Sequence, residues 1–345
     1  MPQPISRQRV REFREAFSTE VDSLAAIYRN AAADMLDILA DAAAFSGQRA
    51  RAAALLHQYQ IVLADLADES AAWIEMNIPR AYGAGLDFVD GCVQNYRRAG
   101  INIRRRQAYS ATGYEGPGGY GEQVRGGGIA ARTERDVFSQ VHREAVHAIV
   151  DAMLDTTGKA LAAIGRRVDD VFRREGMLAV AQGIVEGQAR LDVSREIERR
   201  LLAAGRPDFI DKLGRHWPLD RYAEMVARTT TREAMTQGTI QRLREHGIQL
   251  AQVSAHHAAD FCIFYENAIV SIGPEPHPVY PPISAIGGGP PFHPRCVHVL
   301  TPFIERLATE EERKAGIVDP KVLNQSAAEL QRRQRKLSAK KEGTL

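Results

Sequence analysis

An apolar side chain recurs every three or four residues from Val10 to Ile38, and this spacing restricts the fold more than any other feature of the chain. Such steps, sustained over about eight turns, are typical of an amphipathic helix whose apolar seam packs on a partner helix in coiled-coil fashion. The partner helix lies either in this chain or in a neighbouring subunit. The seam consists of Val10, Phe13, Phe17, Val21, Leu24, Tyr28, Ala31, Met35 and Ile38.

Two more helices are predicted after the seam. A run rich in Ala, Leu and Ile predicts one helix over residues 47–76. A third helix is predicted from Pro79 to Tyr96, because proline suits the first turn of a helix and Gly100 suits the position after its end. Residues 1–109 are therefore predicted to form a helical region that carries the coiled-coil-like seam.

Residues 110–128 interrupt the helical pattern. They contain eight glycines and one proline, and their apolar residues follow neither the period of a helix nor that of a strand. This composition predicts a loop or hinge, and the glycine spacing matches no phosphate-binding motif. Helical spacing resumes after the loop, so residues 129–214 are predicted to form a second helical region.

The C-terminal part of the chain has a mixed character. A helix is predicted over residues 219–246, ending at Gly247. The runs 248–255 and 261–273 are β-branched and aromatic, which predicts a small hairpin-like sheet. The fold class is therefore mainly α, with a long helical N-terminal region and a small α+β C-terminal domain. We assign the α+β domain to residues 215–306 and a charged helical tail to residues 307–345.

Charge and cysteine content narrow the classes of function. Lys and Arg number 45 against 43 Asp and Glu, so any contact with nucleic acid or an anionic membrane must be local. The N-terminus lacks the apolar core of a signal peptide, and no stretch approaches the roughly 20 apolar residues of a membrane span. We expect a protein made and used in the cytoplasm, in which Cys92, Cys262 and Cys296 are reduced thiols or metal ligands.

Histidine and cysteine are concentrated in two short segments, SAHHAADFC and FHPRCVH. Imidazole and thiolate are the ligands that tetrahedral zinc prefers, so a structural zinc ion is a candidate cofactor. One alternative is a hydrogen-bonded crosslink between two loops, with the thiols as small buried groups. Another is a cysteine nucleophile with a histidine base, for which the sequence identifies neither an orienting group nor an oxyanion site. The candidate ligands are His256, Cys262, His293, Cys296 and His298.

Two further segments carry grouped polar residues. Arg228, Thr229 and Arg232 lie within one helical turn and predict a polar network that anchors their helix. A catalytic Arg/Glu pair of the ADP-ribosyl-transfer kind is the alternative, although charged neighbours on a helix are common. His142 and His147 resemble a zincin pair, but their spacing puts the two rings on different faces, which favours a solvated helix face.

The C-terminal tail contains a dense basic group. Its members could contact the phosphates of DNA, or they could belong to an exposed helix end that frays. The candidate nucleic-acid-binding residues are Arg332, Arg333, Arg335 and Lys336.

Residues 222–303 resemble the C-terminal region of phage minor capsid proteins, the group that includes the Mu F-like head-morphogenesis proteins. The resemblance rests on a helix reading YAEMVARTTTREA, the downstream QVSAHHAADFC, a Pro/Gly loop and the closing HPRCVHVLTPF. The family pattern consists of an Arg-Thr helix, a His- or Cys-bearing turn and a His-Pro-x-Cys element. The positions of this chain that match the pattern are Arg228, Thr229, His256, His293, Pro294, Cys296 and His298.

The resemblance implies a structural protein of the virion and not a free-standing enzyme. The implied partners are the phage portal and major capsid proteins, and the implied site of assembly is the host cytoplasm. Packaged DNA and self-association through the seam are further candidate contacts. Two alternatives stay open: an injected effector enzyme, nuclease or toxin-like, that uses the His/Cys segments, and a DNA-binding adaptor led by the basic tail.

Overall fold

The computed structural model describes residues 5–44, 49–103, 140–186 and 206–341. Most of these residues are helical, which confirms the predicted mainly α class with a small strand-containing C-terminal part. The glycine-rich segment 110–128 lies outside the described residues. The helices are α1 (Arg7–Glu15), α2 (Ser18–Ala44), α3 (Arg49–Arg98), α4 (Gln140–Glu186), α5 (Leu219–Glu245), α6 (Glu310–Ala315) and α7 (Ala327–Lys341).

The strands are short and form two separate sheets. They are β1 (Asp208–Ile210), β2 (His216–Pro218), β3 (Leu250–Val253), β4 (Ile269–Ser271) and β5 (Leu300–Pro302). β1 and β2 form an antiparallel ribbon, and the other three form an antiparallel sheet in the order β4-β3-β5.

The predicted seam helix is wrong in one respect, because it is divided into α1 and α2. Phe17 has a φ of 67°, in the left-handed region, so the helical path stops there and restarts when Val21 donates its backbone N–H to the Phe17 carbonyl. Within α2 the seam residues are buried, but the last one is Leu39 and not Ile38.

The two helices predicted between residues 47 and 96 are also wrong, because α3 is continuous through Pro79. Proline removes one backbone donor from a helix and usually bends or ends it. Here Ile78, Ala81 and Tyr82 are all fully buried around the proline. Tertiary packing on both sides of Pro79 thus outweighs the local preference for a break.

The chain divides into two compact units, each assembled from separated segments. One unit comprises Met1–Glu15, Pro79–Ala148 and Arg232–Leu345, and the other comprises Ala16–Ile78 and Ile149–Thr231. The domain boundaries that we drew from the sequence remain predictions.

In the unit that contains α2, this helix packs on the first part of α3. The Ser70 hydroxyl donates to the Tyr28 hydroxyl at 3.0 Å, and the indole of Trp73 donates to the Glu20 carbonyl at 2.9 Å. The partner of the α2 seam is therefore a helix of the same chain. The β1–β2 ribbon of this unit, which the sequence patterns did not predict, is closed by a turn around Asp211.

In the other unit, α3 and α5 approach very closely. Gly85 and Gly238 face each other at this crossing, and neither has room for a side chain. The helix α5 was predicted at residues 219–246 and ends one residue earlier, before Gly247 with its left-handed φ of 69°.

The three-stranded sheet follows α5. The predicted hairpin-like pairing of the runs 248–255 and 261–273 is confirmed by the antiparallel register of β3 and β4, with Ala251 opposite Val270. The start of the second run forms a 3-10 helix, Phe261–Tyr265, and β5 adds a third strand. The core of the sheet consists of Leu250, Ile269, Tyr280 and Phe303.

None of the helices that the structure describes combines the length and the apolar character needed to cross a membrane.

Candidate metal centre

Cys262 is carried by the 3-10 helix Phe261–Tyr265. Asp260 caps this helix, because its carboxylate accepts the backbone N–H of Cys262 at 2.8 Å. The cap turns the thiol into the protein, where Cys262 is fully buried.

Cys296 ends a tight turn that begins at His293. The backbone N–H of Cys296 donates to the His293 carbonyl at 3.0 Å, and Pro294 and Arg295 occupy the two central positions. Proline favours the first central position of such a turn, and Arg295 has a φ of 69°, the left-handed conformation that a type II turn requires at the second. The sequence HPRC thus fixes where the Cys296 thiol points.

Cys262, Cys296 and His298 meet in the interior, and we call them the thiol–imidazole trio. Each offers one ligand-type atom, and these three atoms all lie within 4.8 Å of one another. Nδ1 of His298 is 3.4 Å from Sγ of Cys296. All three side chains are buried, and both cysteines are free thiols.

The two thiols influence each other. The hydrogen bond to Cys296 raises the pKa of Cys262, and burial raises this pKa further. The same hydrogen bond lowers the pKa of Cys296, and together with the hydrogen bond between Cys296 and His298 it outweighs the opposing effect of burial. Of the two sulfurs, Cys296 is therefore the one that more readily becomes a thiolate.

Glu266 supports the trio, although the sequence analysis did not single it out. Its carboxylate accepts the backbone N–H groups of His256 and Ala258, each at 2.9 Å, and lies 3.4 Å from Nε2 of His298. Burial alone would raise the pKa of Glu266, but these contacts hold it below its usual range. A signal was present in the sequence, since Glu266 is the one acidic residue in the apolar run FCIFYENAIVSI.

His256 and His293 contact different members of the cluster. The His256 ring packs on the His298 ring at 4.3 Å between centroids, and its Nδ1 is 4.0 Å from Glu266. Burial lowers the pKa of His256, and the neighbouring His298 and Arg14 lower it further. Nε2 of His293 is 2.9 Å from the Asp260 carboxylate, and a second group of close ligand-type atoms consists of Asp260, Cys262 and His293.

Arg14, on the helix α1, supplies a positive charge near the trio. Its guanidinium donates to the Ala255 carbonyl at 3.0 Å. Burial lowers the pKa of Arg14, while the charges of Glu266 and Cys296 oppose that shift.

The C-terminal helix α7 packs beside the 3-10 helix that carries Cys262. Gln334 donates to the Ala259 carbonyl at 2.6 Å, and Leu330 is buried. Arg333 pairs with Asp319 at 3.1 Å, and its guanidinium lies 5.8 Å from the centre of the Phe264 ring. Of the predicted nucleic-acid-binding residues, Arg332, Arg335 and Lys336 are exposed, whereas Arg333 is held by these contacts.

The predicted network of Arg228, Thr229 and Arg232 lies on α5. Arg228 contacts the Glu224 carboxylate at 3.1 Å, and the Thr229 hydroxyl donates to the Met225 carbonyl at 2.8 Å. Both contacts stay within the helix. Arg232 is half-buried.

His142 is not on a solvated face, so that expectation was wrong. It is fully buried between the Tyr82 hydroxyl at 2.9 Å and the Glu245 carboxylate at 2.7 Å. His147, in contrast, is exposed.

Two cavities lie near the three-stranded sheet. The larger, about 540 Å³, is lined by residues that include His246, His277 and Phe303. The smaller, about 370 Å³, is lined by residues that include Pro276 and Tyr280. Neither of these cavities is lined by His256, His293 or the trio, so neither provides a substrate pocket at the His/Cys cluster.

Comparison with known proteins relates the chain to structural proteins of phages. The family described as Phage minor capsid protein 2 matches residues 120–339, which include the whole His/Cys cluster. A curated protein of Lactococcus phage LL-H, described as "Structural protein", is 30% identical over 112 residues, covering 30% of this chain. The matched region is also about 30% of that relative's length. No solved structure matches the chain significantly.

Proposed function

The chain belongs to the Phage minor capsid protein 2 family, and from that premise we propose that it acts in the head of a tailed bacteriophage. There it associates with the portal or the inner capsid surface during head assembly and DNA packaging, and it remains in the finished virion. The observation that carries this proposal is the family match over residues 120–339, which confirms the expectation of a phage minor capsid protein. The structural protein of the Lactococcus phage supports it.

The geometry of the His/Cys cluster supports a structural role over the injected-enzyme alternative. A general base must reach its substrate within hydrogen-bond distance. His298 is 2% exposed, and both of its ring nitrogens face protein atoms, Cys296 on one side and Glu266 on the other. His298, Cys296 and Glu266 therefore bind one another, as expected of a crosslink that holds loops together.

The experiment is co-expression of the tagged chain with the portal and major capsid proteins of the phage that encodes it. We expect the chain to co-sediment with assembled heads and to be recovered with the portal when the portal is captured alone. Recovery with neither protein would contradict the proposal. Digestion of DNA by the purified chain, lost in His256→Ala and His293→Ala variants that still co-sediment with heads, would favour the enzyme.

A second candidate function is contact with packaged DNA through α7. Arg332, Arg335 and Lys336 fall at a spacing of three and four residues, so they share one face of the helix, and all three are exposed. Replacing all three with Gln should weaken binding to duplex DNA and reduce the salt slope by roughly 0.9 for each phosphate that is no longer neutralised. Lys314→Gln is the control, because this exposed lysine lies on α6, where it pairs with Glu310 one turn away. An unchanged salt slope in the triple variant would remove this function.

A further inference from the structure

The thiol–imidazole trio has the donor types and the spacing of a zinc site. Around tetrahedral zinc, bonds of about 2.3 Å to sulfur and about 2.0 Å to nitrogen place neighbouring sulfur and nitrogen ligands roughly 3.6 Å apart. The 3.4 Å between Sγ of Cys296 and Nδ1 of His298 is close to that value. The Cys262 thiol lies within 4.8 Å of both atoms.

We infer that the trio and His293 bind one structural zinc ion, which ties the 3-10 helix of Cys262 to the turn of Cys296. This inference concerns the folding of the C-terminal region and does not depend on the role proposed for the chain in the phage head.

The orientation of His298 supports the site independently of the sulfurs. Histidine ligands commonly donate their second ring N–H to a carboxylate, which fixes the tautomer and leaves the other nitrogen free for the metal. Nε2 of His298 faces the Glu266 carboxylate at 3.4 Å, so Nδ1 presents its lone pair to the space beside Cys296. Glu266 is itself held by two backbone N–H groups, from His256 and Ala258.

His293 supplies the fourth ligand. Its Nδ1 faces the Pro294 carbonyl at 2.6 Å and its Nε2 faces the Asp260 carboxylate at 2.9 Å. Both ring nitrogens of His293 thus face oxygen acceptors, and the Asp260 carboxylate favours a positive charge beside Nε2. His293 belongs to a group of ligand-type atoms with Asp260 and Cys262, so one of its ring nitrogens already lies within 4.8 Å of the Cys262 thiol.

His256 is not assigned as a ligand, although it was among the candidates from the sequence. It forms a separate group of close ligand-type atoms with Glu266 and His298, in which neither cysteine takes part. His256 therefore contacts the site through Glu266 and through packing on the His298 ring.

The charge balance of the site suits its burial. Binding of Zn²⁺ displaces one proton from each thiol, and the two thiolates cancel the charge of the ion, while both imidazoles stay neutral. A buried centre with no net charge avoids the large cost of an unpaired buried ion. The nearby charges of Arg14 and Glu266 offset each other.

The test is metal analysis of the full-length chain, purified, loaded with excess zinc and desalted. We expect about one zinc ion per chain, because the two thiols and two imidazoles supply the four ligands of one tetrahedral site. The variants Cys296→Ser and His298→Ala should retain none, and Glu266→Gln should bind roughly 10–100-fold more weakly. His293→Ala should also bind more weakly, and an affinity equal to that of the wild type would overturn the assignment of the fourth ligand.

Two controls keep the result interpretable. His257→Asn should retain zinc fully, because His257 is exposed and its left-handed φ of 62° is one that Asn tolerates. Where a ligand variant fails to fold, the wild type is stripped of metal with a chelator and titrated with Co²⁺. Cysteine-to-cobalt charge-transfer absorption with tetrahedral visible bands is the expected result. A wild-type chain that retains no zinc and gives no such absorption would overturn the inference.

Discussion

Gly85 and Gly238 face each other where the helices α3 and α5 cross, and a methyl group on either would overlap a backbone carbonyl of the opposite helix. The group on Gly85 would meet the Met235 carbonyl, and the group on Gly238 would meet that of Tyr82. The two backbones approach this closely because neither position carries a side chain. This close approach sets the packing of the unit that also contains the candidate metal centre.

The first prediction follows from this crossing. Gly85→Ala and Gly238→Ala should each lower the free energy of unfolding by roughly 1–3 kcal/mol, because backbone atoms cannot yield as a side chain can. Gly83→Ala is the matched control on α3. A methyl group there meets nothing within 4 Å, so the change should stabilise the chain by about 0.5–1 kcal/mol through helix propensity. Urea unfolding measures all three, and equal effects at Gly83 and Gly85 would rule out the close crossing.

The second prediction compares two buried tyrosines. The Tyr82 hydroxyl contacts Nδ1 of the buried His142 at 2.9 Å, so Tyr82→Phe should cost about 1 kcal/mol of unfolding free energy. Among the described residues nothing hydrogen-bonds the buried Tyr59 hydroxyl. Tyr59→Phe should therefore be neutral or slightly stabilising. Thermal unfolding of both variants measures these effects. A larger loss of stability in Tyr59→Phe than in Tyr82→Phe would contradict these hydrogen-bond assignments.

The third prediction concerns pH. The Asp211 carboxylate accepts the backbone N–H of Arg215 and of Leu213 and the indole N–H of Trp217, and the first of these bonds is the main cause of its lowered pKa. A folded-state pKa below the unfolded value of about 3.9 gives stability that is present above about pH 4 and is lost as the pH falls through the folded value.

The test compares the wild type with Asp211→Asn between about pH 6 and pH 2, a range that spans the unfolded value for Asp. The wild type should be the more stable at the upper end, and the difference should shrink steadily below about pH 4. The measurement is urea unfolding at each pH. A difference that stays constant across the range would show that the Asp211 charge does not stabilise the turn.

The fourth prediction tests whether the tail helix α7 is packed and not frayed. Leu330 is 1% exposed and Leu337 is 46% exposed on the same helix. Leu330→Ala should cost about 2–5 kcal/mol, because it leaves a cavity against the helix's docking site. It should also speed cleavage of α7 by trypsin. Leu337→Ala should change neither the stability nor the cleavage rate, and identical behaviour of the two variants would indicate an undocked tail.

The sequence predicted the elements whose signals are local. The helix α5 was predicted because its apolar period runs up to Gly247, a residue that readily adopts the left-handed φ needed there. The pairing of β3 with β4 followed from their β-branched and aromatic composition. The family resemblance was also carried by local motifs, and the match over residues 120–339 confirmed it.

The sequence failed where tertiary contacts decide the structure. Apolar spacing runs through Phe17 unchanged, so it could not reveal that one residue adopts a left-handed φ and divides the helix. Pro79 signalled a helix start, and burial of its neighbours overrode that signal. Glu266 was missed because its role depends on two backbone N–H groups and His298, which only the folded chain brings to it.

Quantitative mass spectrometry of purified, DNA-filled heads of the phage that encodes this chain tests the proposed function most directly. We predict that the chain is present in every preparation of heads, in far fewer copies than the major capsid protein, and that it stays with the particle through washing with high salt. A chain that is abundant in infected cells but absent from finished heads would contradict its role as a structural component of the virion.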